Sequence, residues 1–194
     1  MVCVLALSGC ISHQQPLFTL TDNLPNQNPP RRIVWIWIDK DFSIWSKMNI
    51  SEAIASWDYA LNDYIQLRVA MDGIYQANKP EMPRMNDWVI HKVNAGARQL
   101  PTIEAARVVL GAVDYVGGSN LFLAENAMRV GDIYFITLHE IGHLLGAQHR
   151  GNKLMFPDLN RDKFRCIDYG TIDQVAETQH LPVDRLNYCK RNWF

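Results

Sequence analysis

The sequence contains no long apolar run and no excess of basic residues. No segment of its 194 residues approaches the roughly 18 consecutive apolar residues that a membrane-spanning helix requires. The 19 basic and 20 acidic residues give a formal net charge of −1, and no face-sized basic cluster occurs, so we expect no nucleic-acid partner. With 48% hydrophobic residues, the chain suits one domain with a substantial core and is too short for two ordinary domains.

Histidines are few, yet half of them lie in one short stretch. Three of the six fall between His139 and His149, a segment that reads His-Glu-Ile-Gly-His-Leu-Leu-Gly-Ala-Gln-His. On an α-helix, His139 and His143 lie one turn apart on the same face and can direct two ring nitrogens at one ion. Gly146 suits the left-handed turn that ends a helix, which would bring His149 back as a third ligand.

These residues predict a catalytic metal site. Three protein ligands leave one tetrahedral position open, which is typical of catalytic zinc. Glu140 follows the first ligand and would project beside the ion, where it could accept a proton from a metal-bound water. A bare His-Glu-x-x-His pattern could also be a solvated helix face with two histidines, but the added glycine and third histidine weigh against that alternative.

The extended motif resembles that of the metzincin clan of zinc endopeptidases, in which HExxHxxGxxH is followed by a methionine turn. Leu154-Met155-Phe156-Pro157 supplies such a turn, with Met155 six residues after His149. The resemblance implies that Met155 supports the metal as an apolar base and is not a ligand. Pro157 stands where some branches place a tyrosine ligand, so the turn is similar to that of the matrixin branch. The resemblance implies one zinc ion, and we make no calcium prediction.

The resemblance also implies a mixed α/β (α+β) fold. Its parts are a mostly parallel twisted sheet of about five strands with an antiparallel edge strand, a long packing helix, an active-site helix and C-terminal helices. Apolar runs bounded by turn residues are compatible with this order. They predict strands at residues 31–39, 65–70, 88–93, 108–116 and 120–124.

Several local patterns predict where these elements begin and what covers them. Residues 31–39 are apolar on both alternating faces, which predicts a strand covered on both sides. Asn49 and Glu52 have the spacing of a capping box, so the packing helix is predicted to begin there. Asp132 is predicted to cap the motif helix, at about 133–145. The remaining predictions are a surface loop at 72–86, a helix at 171–179 and a second short helix at 183–190.

The fourth predicted strand would form the rim of a substrate cleft, by its order along the chain in the metzincin fold. An edge strand offers free backbone N–H and C=O groups, to which an extended peptide can add. An ordinary edge strand without this role is the alternative. The rim candidates are Leu110, Gly111, Ala112, Val113, Asp114 and Tyr115.

The first thirty residues predict export and lipid attachment. Residues 2–7 form a short apolar segment, and Leu7-Ser8-Gly9-Cys10 resembles a bacterial lipobox, whose cysteine becomes the lipidated first residue. The expected basic region is missing, and a buried N-terminal strand or a disordered end is the alternative. The predicted divisions are a lipoprotein-type signal peptide at 1–9, a tether at 10–30 and a metzincin-like catalytic domain at 31–194.

This N-terminus predicts a location outside the cytoplasm, in the periplasm, at the outer membrane or on the cell surface of a bacterium. The membrane would be contacted only through the lipid on Cys10, and the extended tether could reach ~65 Å. No cysteine-switch segment of the matrixin type occurs, so we expect no folded inhibitory propeptide. With Cys3 removed and Cys10 acylated, Cys166 and Cys189 are left as a possible disulfide, and two separate buried thiols are the alternative.

The motif and the N-terminus together predict a monomeric zinc endopeptidase acting on extracytoplasmic proteins or peptides. Two alternatives stay open. One is a peptide- or surface-binding lipoprotein that keeps the fold without turnover, and the other is a zinc hydrolase of different specificity, for instance toward cell-wall peptides. His13, His91 and His180 lie apart from the motif and are given no metal role.

Overall fold

A five-stranded, mostly parallel sheet organises the fold. The computed structural model describes residues 18–75, 83–101, 109–129, 131–150, 154–157 and 166–191. Within these residues the chain is mixed α/β, with three α-helices and a second, two-stranded sheet. The strands are β1 (Phe18–Leu20), β2 (Arg32–Asp39), β3 (Ile65–Tyr75), β4 (Trp88–Lys92), β5 (Gly111–Val113), β6 (Asn120–Leu123) and β7 (Cys189–Arg191).

The order of strands in the larger sheet is β3-β2-β4-β6-β5. β2 pairs in parallel with both β3 and β4, and β4 pairs in parallel with β6. β5 is antiparallel to β6 and lies at one edge. The prediction of a mostly parallel sheet with an antiparallel edge strand is therefore confirmed.

Helices α1 (Ile44–Ala60), α2 (Asp132–Leu144) and α3 (Tyr169–Gln179) complete the core. Alternate residues of β2, namely Val34, Ile36 and Ile38, are buried in one cluster with residues of all three helices. Trp57 of α1 is fully buried, and its Nε1 donates a hydrogen bond of 2.8 Å to Leu138 O. This bond ties α1 to the helix that carries the histidine motif.

The opposite face of β2 is only partly covered. Ile33 and Trp35 keep 49% and 39% of their surface exposed. The prediction that this strand is covered on both sides is wrong at these positions. Because β-branched and aromatic residues also favour half-exposed strands, their presence on a face does not prove that the face is buried.

Both long helices begin at residues other than those predicted. Ser43 is the N-cap of α1, and its Oγ accepts a hydrogen bond of 3.2 Å from Ser46 N. Asn49 lies inside α1, where its side chain donates to a backbone carbonyl one turn earlier. Gly131 occupies the N-cap position of α2, and Asp132 belongs to the first turn.

Two further elements differ from prediction in length or type. β3 continues to Tyr75, into the segment predicted as a loop, and residues 76–82 lie outside the described residues. The helix predicted at 183–190 is a 3-10 turn at Val183–Arg185 followed by β7. The segment extends as a strand because it pairs with β1, a partner that lies far away in the sequence.

β1 joins the N-terminal part of the described chain to β7. The strands are antiparallel, with Leu20 opposite Cys189. Thr21 N then donates a hydrogen bond of 2.9 Å to Tyr188 O. The predicted tether is therefore wrong for residues 18–21, which belong to the folded domain.

The signal peptide and the lipid attachment at Cys10 fall within residues 1–17, outside the described residues, and remain predictions. In the described part of the chain, none of the helices combines the length and apolar character needed to cross a membrane.

Candidate metal centre

α2 ends in a turn that reverses the chain. Gly146 has a φ of 100°, a conformation that residues with a side chain adopt only at a cost. Gly146 N donates to His143 O at 2.9 Å, and the following N–H donates to Gly142 O at 2.9 Å. This pair of bonds is the Schellman motif. The reversal brings His149 to His139 and His143, as the sequence predicted.

The three motif histidines converge through their Nε2 atoms. His149 Nε2 lies 3.2 Å from His139 Nε2 and 3.1 Å from His143 Nε2. The candidate ligand atoms of all three lie within 4.8 Å of one another. Tetrahedral coordination with Zn–N bonds of about 2.0–2.1 Å would separate nitrogen ligands by ~3.3 Å, so the spacing fits one ion. The fit is consistent with zinc without identifying it, since imidazole also suits copper, iron and nickel.

Backbone carbonyls fix the tautomer of two of these rings. His139 Nδ1 lies 2.6 Å from Leu154 O, and His143 Nδ1 lies 2.7 Å from Ala147 O. A carbonyl oxygen can only accept, so each Nδ1 carries the proton and donates it. Each Nε2 then keeps a lone pair for an ion, as in metal-ligating histidines generally.

Desolvation favours the neutral form of all three imidazoles. It lowers the pKa of His139 to about 4, although the hydrogen bond to Leu154 acts in the opposite direction. It also lowers the pKa of His143 and of His149 below the ordinary histidine value. Neutral imidazole is the form that binds metal, so the electrostatics of the site agree with its geometry.

Glu140 is buried next to His139 in α2. Its removal from water raises the pKa of its carboxyl group to about 8. The backbone of β5 lies against it, because a Cβ on Gly111 would stand 3.1 Å from Glu140 Oε1 and 2.5 Å from Ile136 Cγ2. The lack of a side chain at Gly111 lets the edge strand approach the predicted base.

Met155 packs against α2 between the two helical ligands. Only 1% of its surface is exposed. A Cβ on Gly142 would stand 2.7 Å from Met155 Sδ and 3.4 Å from Trp57 Cζ2. Arg150 N donates a hydrogen bond of 3.2 Å to Met155 O, which holds the residue after His149 to the turn. These contacts suit the supporting role expected of Met155.

The predicted rim lies at the edge of the sheet and next to α2. Gly117, in the loop after β5, donates a hydrogen bond of 2.8 Å to His143 O. Pro157 is exposed, and its role remains a prediction, as does substrate binding at the rim. Of the rim residues, Leu110 precedes β5, Gly111, Ala112 and Val113 form it, and Asp114 and Tyr115 follow it.

The other described histidines lie apart from this centre. The His91 ring stacks on Phe122 with centroids 5.0 Å apart, and its Nε2 lies 3.0 Å from Asn120 Oδ1. His180 ends α3. Across the described ranges, the three motif histidines form the one group of at least three His, Cys, Asp or Glu side chains that could hold a metal ion.

Cys166 and Cys189 form a disulfide with their Cα atoms 6.2 Å apart. This is the pairing that the sequence left as one of two alternatives. The bond joins the segment before α3 to strand β7.

Asp168 is a site residue that the sequence patterns did not reveal. Its Oδ1 accepts from Gly170 N at 2.9 Å as the N-cap of α3, and its Oδ2 accepts from Leu154 N at 3.2 Å. Leu154 is also the residue whose carbonyl accepts the His139 Nδ1 proton. The available signal was an Asp three residues before Thr171 at the start of an amphipathic pattern, which indicates a helix cap and not a contact with Leu154.

Neither a scan against models of protein families nor a search of curated proteins finds a match to this chain. The functional interpretation therefore depends on the chemistry of the site itself.

Proposed function

We propose that the protein is a zinc-dependent endopeptidase of the metzincin type, similar to the matrixin branch, that cleaves proteins or peptides outside the cytoplasm. The main support is the convergence of three histidine Nε2 atoms, two of them on rings whose Nδ1–H donates to a backbone carbonyl. A solvated helix face has no reason to orient two imidazoles in this way. Buried Glu140 adds a base next to the first ligand.

In this proposal His139, His143 and His149 would hold the ion through their Nε2 atoms. When bound, zinc supplies Lewis-acid chemistry, acidifying water and polarising a carbonyl group. Burial raises the pKa of Glu140 to about 8, and a cation held by the neighbouring histidines would lower it, so that Glu140 would be a carboxylate. It would accept a proton from water and later deliver it to the leaving amine, first as general base and then as general acid. The burial of Glu140 limits competition for that proton by bulk water.

Strand β5 would align the substrate. In the described residues β5 pairs with β6 alone, so its other edge offers main-chain N–H and C=O groups to an extended peptide. Leu110 to Tyr115 would then form the substrate rim beside Glu140. Recognition through the main chain depends little on side chains, so we expect broad tolerance along the substrate segment that adds to β5.

The full-length protein should contain one zinc per chain by elemental analysis and should cleave an unfolded protein. Glu140→Gln should keep the zinc and lose cleavage by a factor of about 10²–10⁴, the usual contribution of general acid–base catalysis. Chelation should abolish cleavage, and added zinc should restore it. The matched control is Glu177→Gln, an exposed glutamate on α3, which should change neither zinc content nor rate.

Three outcomes would redirect the proposal. A folded wild-type chain that takes up no zinc refutes the metal centre. Zinc uptake without cleavage of unfolded proteins favours a non-catalytic binding protein, and cleavage restricted to cell-wall peptides favours a hydrolase of that specificity. Acyl labelling that is lost in Cys10→Ala tests the predicted lipid anchor.

A further inference from the structure

Asp168 is connected to the first candidate ligand through one residue. Asp168 Oδ2 accepts a hydrogen bond of 3.2 Å from Leu154 N, and Leu154 O accepts one of 2.6 Å from His139 Nδ1. We propose that Asp168 is a positioning residue that holds Leu154 so that His139 keeps its ligand orientation. This role rests on the proposed function, because it presupposes the metal centre.

His139 needs support that His143 does not. The carbonyl that orients His143 belongs to Ala147, four residues away in the turn that ends α2. The carbonyl that orients His139 belongs to Leu154, 15 residues further along the chain. The turn that ends α2 therefore fixes the contact between His143 and Ala147. The contact between His139 and Leu154 depends on tertiary structure.

The Asp168 carboxylate is itself held in one orientation. Gly170 N and Thr171 N donate to Oδ1 at 2.9 and 3.3 Å, and Thr171 Oγ1 donates to Oδ2 at 2.7 Å. Rotation of the carboxylate away from Leu154 would break the cap of α3. The same carboxylate therefore caps α3 and holds the backbone N–H of Leu154.

The segment that carries Asp168 is anchored on its other side. Cys166 is joined to Cys189 by the disulfide, and Cys189 N donates a hydrogen bond of 2.9 Å to Ile167 O. The disulfide and the hydrogen bond to β7 therefore fix the backbone next to Asp168. With its own backbone fixed, Asp168 can restrain His139 through Leu154.

The sharpest variant is Asp168→Asn, which separates the two tasks of the side chain. Asparagine is as good an N-cap as aspartate. Two backbone N–H groups face Oδ1, whereas Oδ2 faces one backbone N–H and the Thr171 hydroxyl. A hydroxyl can also accept a hydrogen bond, so the amide oxygen should take the capping side and turn its NH₂ toward Thr171 Oγ1 and Leu154 N. The cap survives and the support of Leu154 is lost. Asp168→Ser is a second variant, because serine caps well and is too short to reach Leu154.

Two measurements report on the orientation and metal affinity of His139 without depending on catalytic activity. In metal-free protein, proton–nitrogen correlation spectra should show His139 protonated at Nδ1, with exchange of that proton faster in both variants than in wild type. Zinc affinity by chelator competition should fall about 10-fold in both, since losing the group behind a metal ligand typically costs 10–100-fold. The matched control, Ser43→Ala, removes the cap of α1 and should leave both readouts unchanged.

The outcomes separate this inference from the proposed function. Faster Nδ1–H exchange at His139 with weaker zinc binding in the Asn and Ser variants supports the positioning role. If either folded variant shows the wild-type rate of Nδ1–H exchange at His139 and the wild-type zinc affinity, the positioning role is refuted. The proposed zinc site is then unaffected. An equal loss of affinity in Ser43→Ala also overturns it, because general destabilisation would then explain the effect. A wild-type protein that binds no zinc refutes the proposed function, and with it the role of Asp168 toward a ligand.

Discussion

Gly111 brings the backbone of the edge strand to the Glu140 carboxyl group, since a Cβ on Gly111 would stand 3.1 Å from Glu140 Oε1. The same Cβ would stand 2.5 Å from Ile136 Cγ2, which is too close for side-chain atoms. Strand β5 and helix α2 therefore meet at the predicted base, and they can do so only because residue 111 has no side chain.

Gly111→Ala should weaken catalysis more than zinc binding. The added methyl group must displace Ile136, Glu140 or the strand, and such overpacking costs about 1–3 kcal/mol of unfolding free energy. A shift of about 1 Å in a reacting group can cost 10²-fold in rate, so we expect kcat/KM to fall at least that far with zinc content unchanged. Steady-state kinetics, elemental analysis and urea unfolding measure the three effects. Unchanged kinetics would show that β5 does not constrain Glu140.

Gly142→Ala should reveal the contact between Met155 and the motif helix. Alone, it should lower the unfolding free energy by about 1–2 kcal/mol, because the new Cβ would meet Met155 Sδ at 2.7 Å. In a Met155→Ala background the same change should be neutral or stabilising, since the space is free and alanine favours a helix over glycine by about 1 kcal/mol. Urea unfolding of the four proteins gives the coupling energy. A coupling near zero would contradict direct packing.

The ligand set could be predicted from the sequence because its geometry is local. His139 and His143 follow from the helical period, and His149 follows from the turn that Gly146 makes possible. The mostly parallel sheet with an antiparallel edge strand was predicted from the resemblance to the metzincin fold, and the apolar runs of the sequence were compatible with it. Periodicity and turn chemistry were sufficient for the three histidines, but not for the order and direction of the strands.

The missed features depend on contacts between distant segments. Ser43 and Asn49 are both good capping residues, and the sequence does not show that Ser43 N donates to Glu125 Oε1 at 3.0 Å. The contact of Asp168 with Leu154 and the pairing of β1 with β7 are of the same kind. Capping and secondary-structure propensities describe each segment by itself. They do not predict which distant segments contact each other in the folded chain.

Acid should destabilise the fold through Glu125. Burial alone would raise the pKa of Glu125, but hydrogen bonds from Lys92, Ser46 and Ser43 outweigh it and lower the pKa from 4.5 to about 2. The unfolded chain then binds this proton more tightly, so the stabilisation is complete above about pH 4.5 and is lost as the pH falls toward 2. Glu125→Gln should flatten the pH dependence of unfolding free energy in that window. Glu52→Gln, an exposed position on α1, should leave the dependence as in wild type.

Reduction of the Cys166–Cys189 disulfide should lower the unfolding free energy by about 3 kcal/mol, the chain-entropy value for a loop of this size. The two cysteines are 23 residues apart, and the loop between them includes the cap and all of α3. Urea unfolding with and without a phosphine reductant measures the difference. The double variant Cys166→Ala/Cys189→Ala should have the unfolding free energy of the reduced protein, and the reductant should not change it. Identical midpoints for oxidised and reduced wild type would contradict a stabilising bond.

Thr137→Val should stabilise the protein. Thr137 is fully buried in α2, and its Oγ1 has no hydrogen-bond partner within the described part of the chain. An unpaired buried hydroxyl costs about 1–3 kcal/mol, and valine keeps the shape without the polar group, so we expect a gain of about 1 kcal/mol in urea unfolding. Zinc content and cleavage should not change.

The matched control for that substitution is Thr171→Val, which makes the same chemical change where the hydroxyl donates to Asp168 Oδ2 at 2.7 Å. Thr171 is also buried, so this variant should lose about 1.5–3 kcal/mol of unfolding free energy, because a satisfied hydrogen bond to a charged group is removed. Opposite signs at two buried threonines would attribute the difference to the hydrogen-bond partner and not to burial. Equal destabilisation at both would mean that the Thr137 hydroxyl is paired in solution, most simply with a carbonyl of the preceding turn of α2.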